Sequence, residues 1–181
     1  MTKEKLRHIA LVGHMGSGKS TIGSLLGKLM HYDHVDLDIA ITNQAGRSIG
    51  VIFAEKGEKV FRDLEEQALE SKLSVSESLV ISTGGGIVER SSNRRLLQDK
   101  SFVIWLRTDI KTLVKRVSKR STRPLLIGKD PLEVLTKLDA ERADLYSEIA
   151  DLTIDTNNMK ASNVSELLFD SLKSHLGVEN E

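Results

Sequence analysis

The stretch Ile9-Ala10-Leu11-Val12-Gly13-His14-Met15-Gly16-Ser17-Gly18-Lys19-Ser20-Thr21-Ile22 decides the fold. Its first four residues are a short apolar run, the mark of a buried strand. The run stops at Gly13, and Gly13 to Ser20 fit G-x-x-x-x-G-K-[ST]. Beyond it, Ile22, Leu25, Leu26 and Leu29 recur at i, i+3, i+4 and i+7, one face of a helix. Strand, glycine-rich loop and helix in that order are the setting a phosphate-binding loop requires. Glycines let successive backbone N–H groups turn inward around a phosphate, where a Cβ would bar the approach. The helix beginning near Lys19 adds the positive end of its dipole. In this setting Lys19 reaches the β- and γ-phosphates of a nucleotide, and the Ser20 hydroxyl ligates Mg²⁺. Gly16, Ser17, Gly18 and Thr21 complete the expected ATP-binding loop. The bland alternative is a glycine-rich turn joining a strand to a helix.

Further apolar runs lie at His34–Leu37, Leu79–Ser82, Phe102–Leu106 and Leu152–Ile154, with helix-length segments between them. Such alternation predicts an α/β fold of three layers, α/β/α, around a five-stranded parallel sheet. The 181 residues suit one domain with a real core, and no internal repeat or low-complexity segment interrupts them.

Composition narrows the function classes. Formal net charge is zero and aromatic residues make up 4%, so neither a global field nor a base-stacking platform favours nucleic acid. No apolar run approaches the ~20 residues that span a bilayer, and no apolar stretch follows Met1–Lys5 to make a signal peptide. Cysteine is absent, which excludes disulfides and thiolate chemistry. The five histidines show no metal-ligand spacing.

Several side chains carry chemistry. Asp36 and Asp38 sit at i and i+2, which on a strand end would point both carboxylates the same way, towards the crevice of an open α/β sheet. One can hold a metal through water and the other can take a proton from an acceptor hydroxyl; the competing reading is Asp38 as a helix N-cap. Two helices separated by Gly57 are expected over Ile49–Glu70, with Arg62 and Glu65 paired at i and i+3. That pair is either a solvated surface bridge or an arginine held rigid to grip a carboxylate with its planar fork. Leu79 to Ser82 runs into Gly84-Gly85-Gly86, more glycine than a plain turn needs, which points to close approach of backbone to a ligand. Trp105 is expected in the core. A helix Asp109–Lys119 leads into Lys115, Arg116, Lys119, Arg120 and Arg123, beside Pro124: either a solvated basic helix end or a cation-rich lid that excludes water. A long helix Asp130–Ile149 carries Arg142, which either pairs with Glu141 or Asp144 on the surface or enters the crevice as a second anion clamp. A closing helix Ser162–His175 would set Val164, Leu167, Leu168 and Leu172 on the sheet.

Taken together, Gly13–Ser20, Asp36-Leu37-Asp38, Gly57-Glu58 with Phe61-Arg62-Asp63-Leu64-Glu65, Gly84-Gly85-Gly86, Arg123-Pro124-Leu125-Leu126 and Glu141-Arg142 with Leu145-Tyr146 are identified as the motif order of one family. From His8 to about Leu172 the chain resembles shikimate kinase, a small P-loop kinase of the nucleoside-monophosphate-kinase type. The resemblance implies a P-loop NTPase fold with a mobile lid: one kinase domain over residues 1–181, an acceptor region about 36–65 and a lid about 116–130. It implies transfer of the ATP γ-phosphate to the 3-hydroxyl of shikimate, on the way to chorismate and the aromatic amino acids. Lys19 would contact phosphates, Ser20 and Asp36 would serve Mg²⁺, and Asp38 would hold the acceptor hydroxyl and receive its proton. Arg62 and Arg142 would bind the shikimate carboxylate, with Glu65 orienting Arg62. Gly84, Gly85 and Gly86 would approach the substrate, Arg123 would stabilise the transferring group, and Arg116 would stack near adenine. The expected partners are ATP and shikimate, with no nucleic acid and no membrane, in a cytoplasmic monomer. Four residues depart from the family pattern: His14 in the loop, Thr42, Trp105, and Ala161 at the adenine border. Two other readings compete: a related kinase for gluconate or a nucleoside monophosphate, and a non-catalytic nucleotide switch, which would need only the loop.

Overall fold

The five apolar runs pair into one parallel sheet in a computed structural model that describes residues 8–118, 126 and 128–176. Strands β1 (His8–Val12), β2 (Asp33–Asp36), β3 (Leu79–Ser82), β4 (Ser101–Arg107) and β5 (Leu152–Asp155) lie in the order β2-β3-β1-β4-β5. The chain's first strand is therefore central, and the order reverses beside it, where open α/β sheets form their ligand crevice. In β1, alternate residues serve opposite layers. Ala10 and Val12 join one core cluster and Ile9 and Leu11 the other, all four fully buried, so the strand reads as a continuous apolar run.

Helices α1 (Lys19–Met30) and α7 (Ala161–Leu176) cover one face through Ile22, Leu26, Val164, Leu168 and Leu172. Helices α2 (Leu37–Ala45), α3 (Ile49–Leu73), α4 (Ser91–Lys100) and α6 (Pro131–Ile149) cover the other. Helix α5 (Ile110–Val117) packs Leu113 and Val117 on Leu135 of α6, with Met15 of the glycine loop against them. The three-layer α/β/α architecture is as expected. Among the described residues no helix is long and apolar enough to cross a membrane.

Local chemistry sets the boundaries. Asp109 caps α5 by accepting from Thr112 N at 2.7 Å, and Asp130 caps α6 by accepting from Leu132 N at 2.9 Å, with Pro131 at the first helical position. Gly57 breaks α3 as expected, at φ 79° and ψ 170°. Other details differ from the sequence reading. β2 ends at Asp36 and Leu37 opens α2, so Asp38 lies in the first turn of a helix rather than on a strand. Asp36, not Asp38, is the N-cap, accepting from Asp38 N at 3.0 Å and Ile39 N at 3.3 Å. The buried stripe of α1 runs through Ile22, Gly23, Leu26 and Gly27, leaving Leu25 and Leu29 half-buried. A Cβ on Gly23 would lie 2.5 Å from Ser82 Oγ and 2.6 Å from His34 Nε2, so the helix sits on the sheet closer than any larger residue permits. Leu167 faces solvent, 48% exposed, because α7 presents Val164, Leu168 and Leu172 instead. The expected lid, with Arg123, falls largely on residues 119–125 and 127, outside the described residues.

Candidate active site

The loop after β1 is built as a phosphate cradle. Gly13, Gly16 and Gly18 have φ of 139°, 84° and 98°, conformations that side-chain-bearing residues rarely adopt. A Cβ on Gly13 would also meet Leu106 O at 2.7 Å, which locks the loop over β4. Lys19, almost fully buried, donates through Nζ to Gly13 O at 2.7 Å and His14 O at 2.8 Å. The ammonium therefore lies beneath the cradle, poised for phosphate oxygens. Ser17 is buried in the loop, and Ser20 and Thr21 open on its exposed rim. A cleft of about 410 Å³ runs from this loop past Asp36, Asp38 and Thr83 to Gly85 on one side, and to Arg116, Thr156 and Ala161 on the other. Arg116 donates to Gly16 O at 3.2 Å and Thr156 O at 2.9 Å, which fixes its guanidinium on the wall expected for the base. Ala161 lies on that same wall.

Asp36 and Ser20 meet at the loop's mouth, the Ser20 hydroxyl donating to Asp36 Oδ2. A hydroxyl and a carboxylate side by side are oxygen donors that suit Mg²⁺, which keeps several waters and takes its remaining ligands from phosphate. Among the described residues no cluster of three histidine, cysteine or acidic side chains forms a protein-only metal cage. The two residues present therefore fit an ion delivered with a nucleotide.

Across the cleft, the glycine run after β3 collects the acceptor-side groups. A Cβ on Gly84 would collide with Glu65 Oε1 and lie 3.3 Å from Asp38 Oδ1. One on Gly85 would lie 3.5 Å from Arg142 Nη1 and from Met15 N, and one on Gly86 would run into the Arg62 guanidinium. The glycines are thus needed for side-chain approach, and they tie Asp38, Arg62, Glu65 and Arg142 to a segment that itself touches the phosphate loop.

Both arginines are buried, at 8% exposure for Arg62 and 3% for Arg142. The surface-bridge readings of each are therefore incorrect. Arg62 donates from Nη1 to Glu65 Oε2 at 2.7 Å and from Nη2 to Glu58 Oε1 at 3.0 Å. Burial alone would lower its pKa, but the charges of Glu65, Glu89 and Glu58 and the Glu65 hydrogen bond outweigh it and hold the guanidinium firmly charged. Burial pushes the Glu65 carboxyl up against the pull of Arg62, with Asp38 and Glu89 adding to the rise. Glu65 Oε1, next to Gly84 and near Asp38, is a buried acceptor with no hydrogen-bond partner among the described residues, a position that suits a substrate hydroxyl.

Arg142 does not pair with Glu141 or Asp144. It donates from Nε at 2.9 Å and from Nη2 at 2.5 Å to Glu89 Oε1, while Glu89 Oε2 lies 3.2 Å from Arg62 Nη2. Glu89 was not singled out from the sequence; its partner is 53 positions away, and the only local hint is a carboxylate just after the glycine run. Tyr146 supports the site from below. It is fully buried, donates to Gly85 O at 2.5 Å, and is stacked on Trp105 with ring centroids 5.7 Å apart. Burial raises its phenol pKa, so it stays a hydrogen-bond donor. His14 ties the loop to α6, its Nε2 2.9 Å from Asp139 Oδ1 and its ring edge-on to Tyr146. Burial holds His14 below its ordinary pKa although Asp139 opposes the shift. Thr42 bonds back to Asp38 O at 2.8 Å.

A phosphate-loop fold and a buried pair of arginines joined by one glycine segment, on a sheet of this order, define a P-loop kinase of the small-molecule type. The chain belongs to the shikimate kinase family, whose family model matches residues 15–173. A curated shikimate kinase of Marinomonas sp. is 40% identical over 176 residues, covering 97% of each chain. One from Vibrio campbellii is 40% identical over 167 residues, 92% of this chain and 96% of its relative. The solved structure of shikimate kinase from Acinetobacter baumannii in complex with shikimate superposes with a TM-score of 0.91 at 34% identity, covering 95% of this chain and 96% of that one.

Proposed function

We propose that this chain phosphorylates the 3-hydroxyl of shikimate with ATP, the step of aromatic amino acid biosynthesis for which its family is named. The observation that carries the reading is the Gly84–Gly86 segment, which borders Arg62, Arg142 and Asp38 while packing on the phosphate loop at Met15 and Gly13. An acid held by its carboxylate there directs its hydroxyls towards a γ-phosphate over Lys19.

In this reading Arg62 and Arg142 grip the carboxylate, Glu65 keeps Arg62 in place, and the backbone of Gly84, Gly85 and Gly86 lines the ring. Asp38 accepts the proton of the attacking hydroxyl as its oxygen bonds to the γ-phosphorus and the bond from that phosphorus to the β,γ-bridging oxygen breaks. Lys19 and the amides of Gly16, Ser17, Gly18, Ser20 and Thr21 hold the phosphates, where charge builds up in the transition state. Mg²⁺, held by Ser20 and through water by Asp36, would neutralise phosphate charge. Arg116 flanks the adenine, and Arg123 of the lid is assigned to the transferring group. Orientation of this kind contributes roughly 7–11 kcal/mol. The same reading takes the chain as one kinase domain acting as a cytoplasmic monomer, with residues about 36–65 receiving the acceptor and about 116–130 closing over it.

The test is ADP release from Mg²⁺–ATP with shikimate, gluconate or a nucleoside monophosphate as acceptor, with phosphorus NMR locating the new ester. Release driven by shikimate alone, giving the 3-phosphate, is expected. Tight ATP binding with no response to any hydroxy acid would instead favour a nucleotide switch.

A further inference from the structure

The clamp for the substrate carboxylate already holds a carboxylate. Glu89 Oε1 takes the Nε–Nη2 edge of Arg142, the edge best suited to a bidentate acid, and Glu89 Oε2 reaches Arg62. Among the described residues Glu89 is the one acid that salt-bridges both guanidiniums.

The three acids around the clamp differ in freedom. The Glu65 side chain has no exposure and cannot leave without stranding a charge. Glu58 is half-exposed and bonds Arg62 alone. The Glu89 side chain is 35% exposed, on a backbone held by Ile87 and Val88, both fully buried, and by Arg94 Nη1 donating to Val88 O at 2.8 Å. Its carboxylate can thus swing to solvent while its backbone stays fixed. Charge demands such a movement. Among the described residues two guanidiniums already face three carboxylates, and a fourth arriving with the substrate would crowd a further buried negative charge onto them.

We propose that Glu89 is an exchangeable internal ligand: its carboxylate closes the Arg62–Arg142 clamp in the empty enzyme, and the carboxylate of the acid substrate displaces it. Glu89 thereby sets the affinity for acids and keeps two buried arginines paired between turnovers. The inference rests on the assignment of Arg62 and Arg142 to the substrate carboxylate.

A clamp occupied by Glu89 about nine-tenths of the time binds substrate about tenfold more weakly than an open one. Glu89→Ala is therefore expected to tighten shikimate about tenfold by calorimetry. Benzoate, a minimal aryl carboxylate, should gain as an inhibitor by a similar factor. The melting temperature of unliganded Glu89→Ala should fall, and saturating shikimate should raise it by more than in the wild type. Glu89→Gln, which keeps an acceptor but not the charge, should lie between the two and carries the test if the alanine variant does not fold. Unchanged or weaker shikimate binding in the folded variants overturns the exchange. Arg142→Lys, measured alongside, separates the two readings. Unaltered shikimate binding there sinks the clamp itself; weakened binding there without tightening at Glu89 sinks only the exchange.

Discussion

Replacing Arg62 by alanine tests the carboxylate clamp and its energetics together. The guanidinium makes bonds of 2.7 Å to Glu65 and 3.0 Å to Glu58, approaches Glu89 at 3.2 Å, and lies against Gly86. Its removal leaves Glu65 fully buried without its cation, a loss of about 3–5 kcal/mol of stability. Glu65 can relieve this by taking a proton. With its folded pKa already raised by burial above the ordinary 4.5, the folded variant binds more protons than the unfolded chain. The variant's stability is then greatest below about pH 4.5 and is lost as pH rises through the higher folded pKa, so its deficit against wild type widens towards neutrality. Arg62→Met combined with Glu65→Leu removes both charges and should recover most of the loss, because an absent pair costs less than a broken one. In the reaction, loss of one charged partner from a desolvated clamp costs about 2–5 kcal/mol. That is roughly 30- to 5000-fold in kcat/KM for shikimate, with the KM for ATP unchanged. Urea denaturation across pH and a coupled ADP-release assay read the two effects. A folded Arg62→Ala enzyme whose kcat/KM for shikimate stays within threefold of wild type, or a double variant no more stable than the single one, would refute the reasoning.

Asp38→Asn should lower kcat by about 10²- to 10⁴-fold while ATP still binds, since the amide keeps the shape and loses the proton acceptor; normal turnover would remove Asp38 from its role. Gly86→Ala drives a methyl into the Arg62 guanidinium, so the KM for shikimate should rise sharply with the nucleotide KM unchanged. Gly23→Ala, remote from substrate, should cost about 1–3 kcal/mol in unfolding, because its methyl would sit 2.5 Å from Ser82 Oγ. His8, His14 and His34 are all held below the ordinary 6.5 by burial, so below that pH the unfolded chain binds more protons than the folded one. Their contribution is fully present above pH 6.5 and is lost as pH falls below it through the lowered folded values. In His14→Phe, which keeps an aromatic ring beside Tyr146, the acid slope of stability should become shallower by one histidine's share; superimposable pH profiles would disprove it.

Hydrophobic pattern and glycine chemistry determined much of this protein from sequence alone. β1 is apolar on both faces because two layers cover it, and the loop after it carries glycines because its backbone must take positive φ. The starts of α5 near Asp109 and of α6 near Asp130 and the break at Gly57 were also legible, since each depends on residues within a few positions of one another. Pairings between distant segments were not. Whether Arg142 faces solvent or the crevice depends on Glu89, 53 positions earlier, and on the burial that α6 acquires against the 3₁₀ turn Ile87–Glu89. The reason for Gly23 in α1 emerges only when the helix is laid over Ser82 and His34. Likewise, Asp36 became a cap only because the chain turns into α2 one residue earlier than the apolar run suggests. Local order and periodicity are written in neighbouring residues, whereas a buried charge finds its partner only when packing has removed water from both.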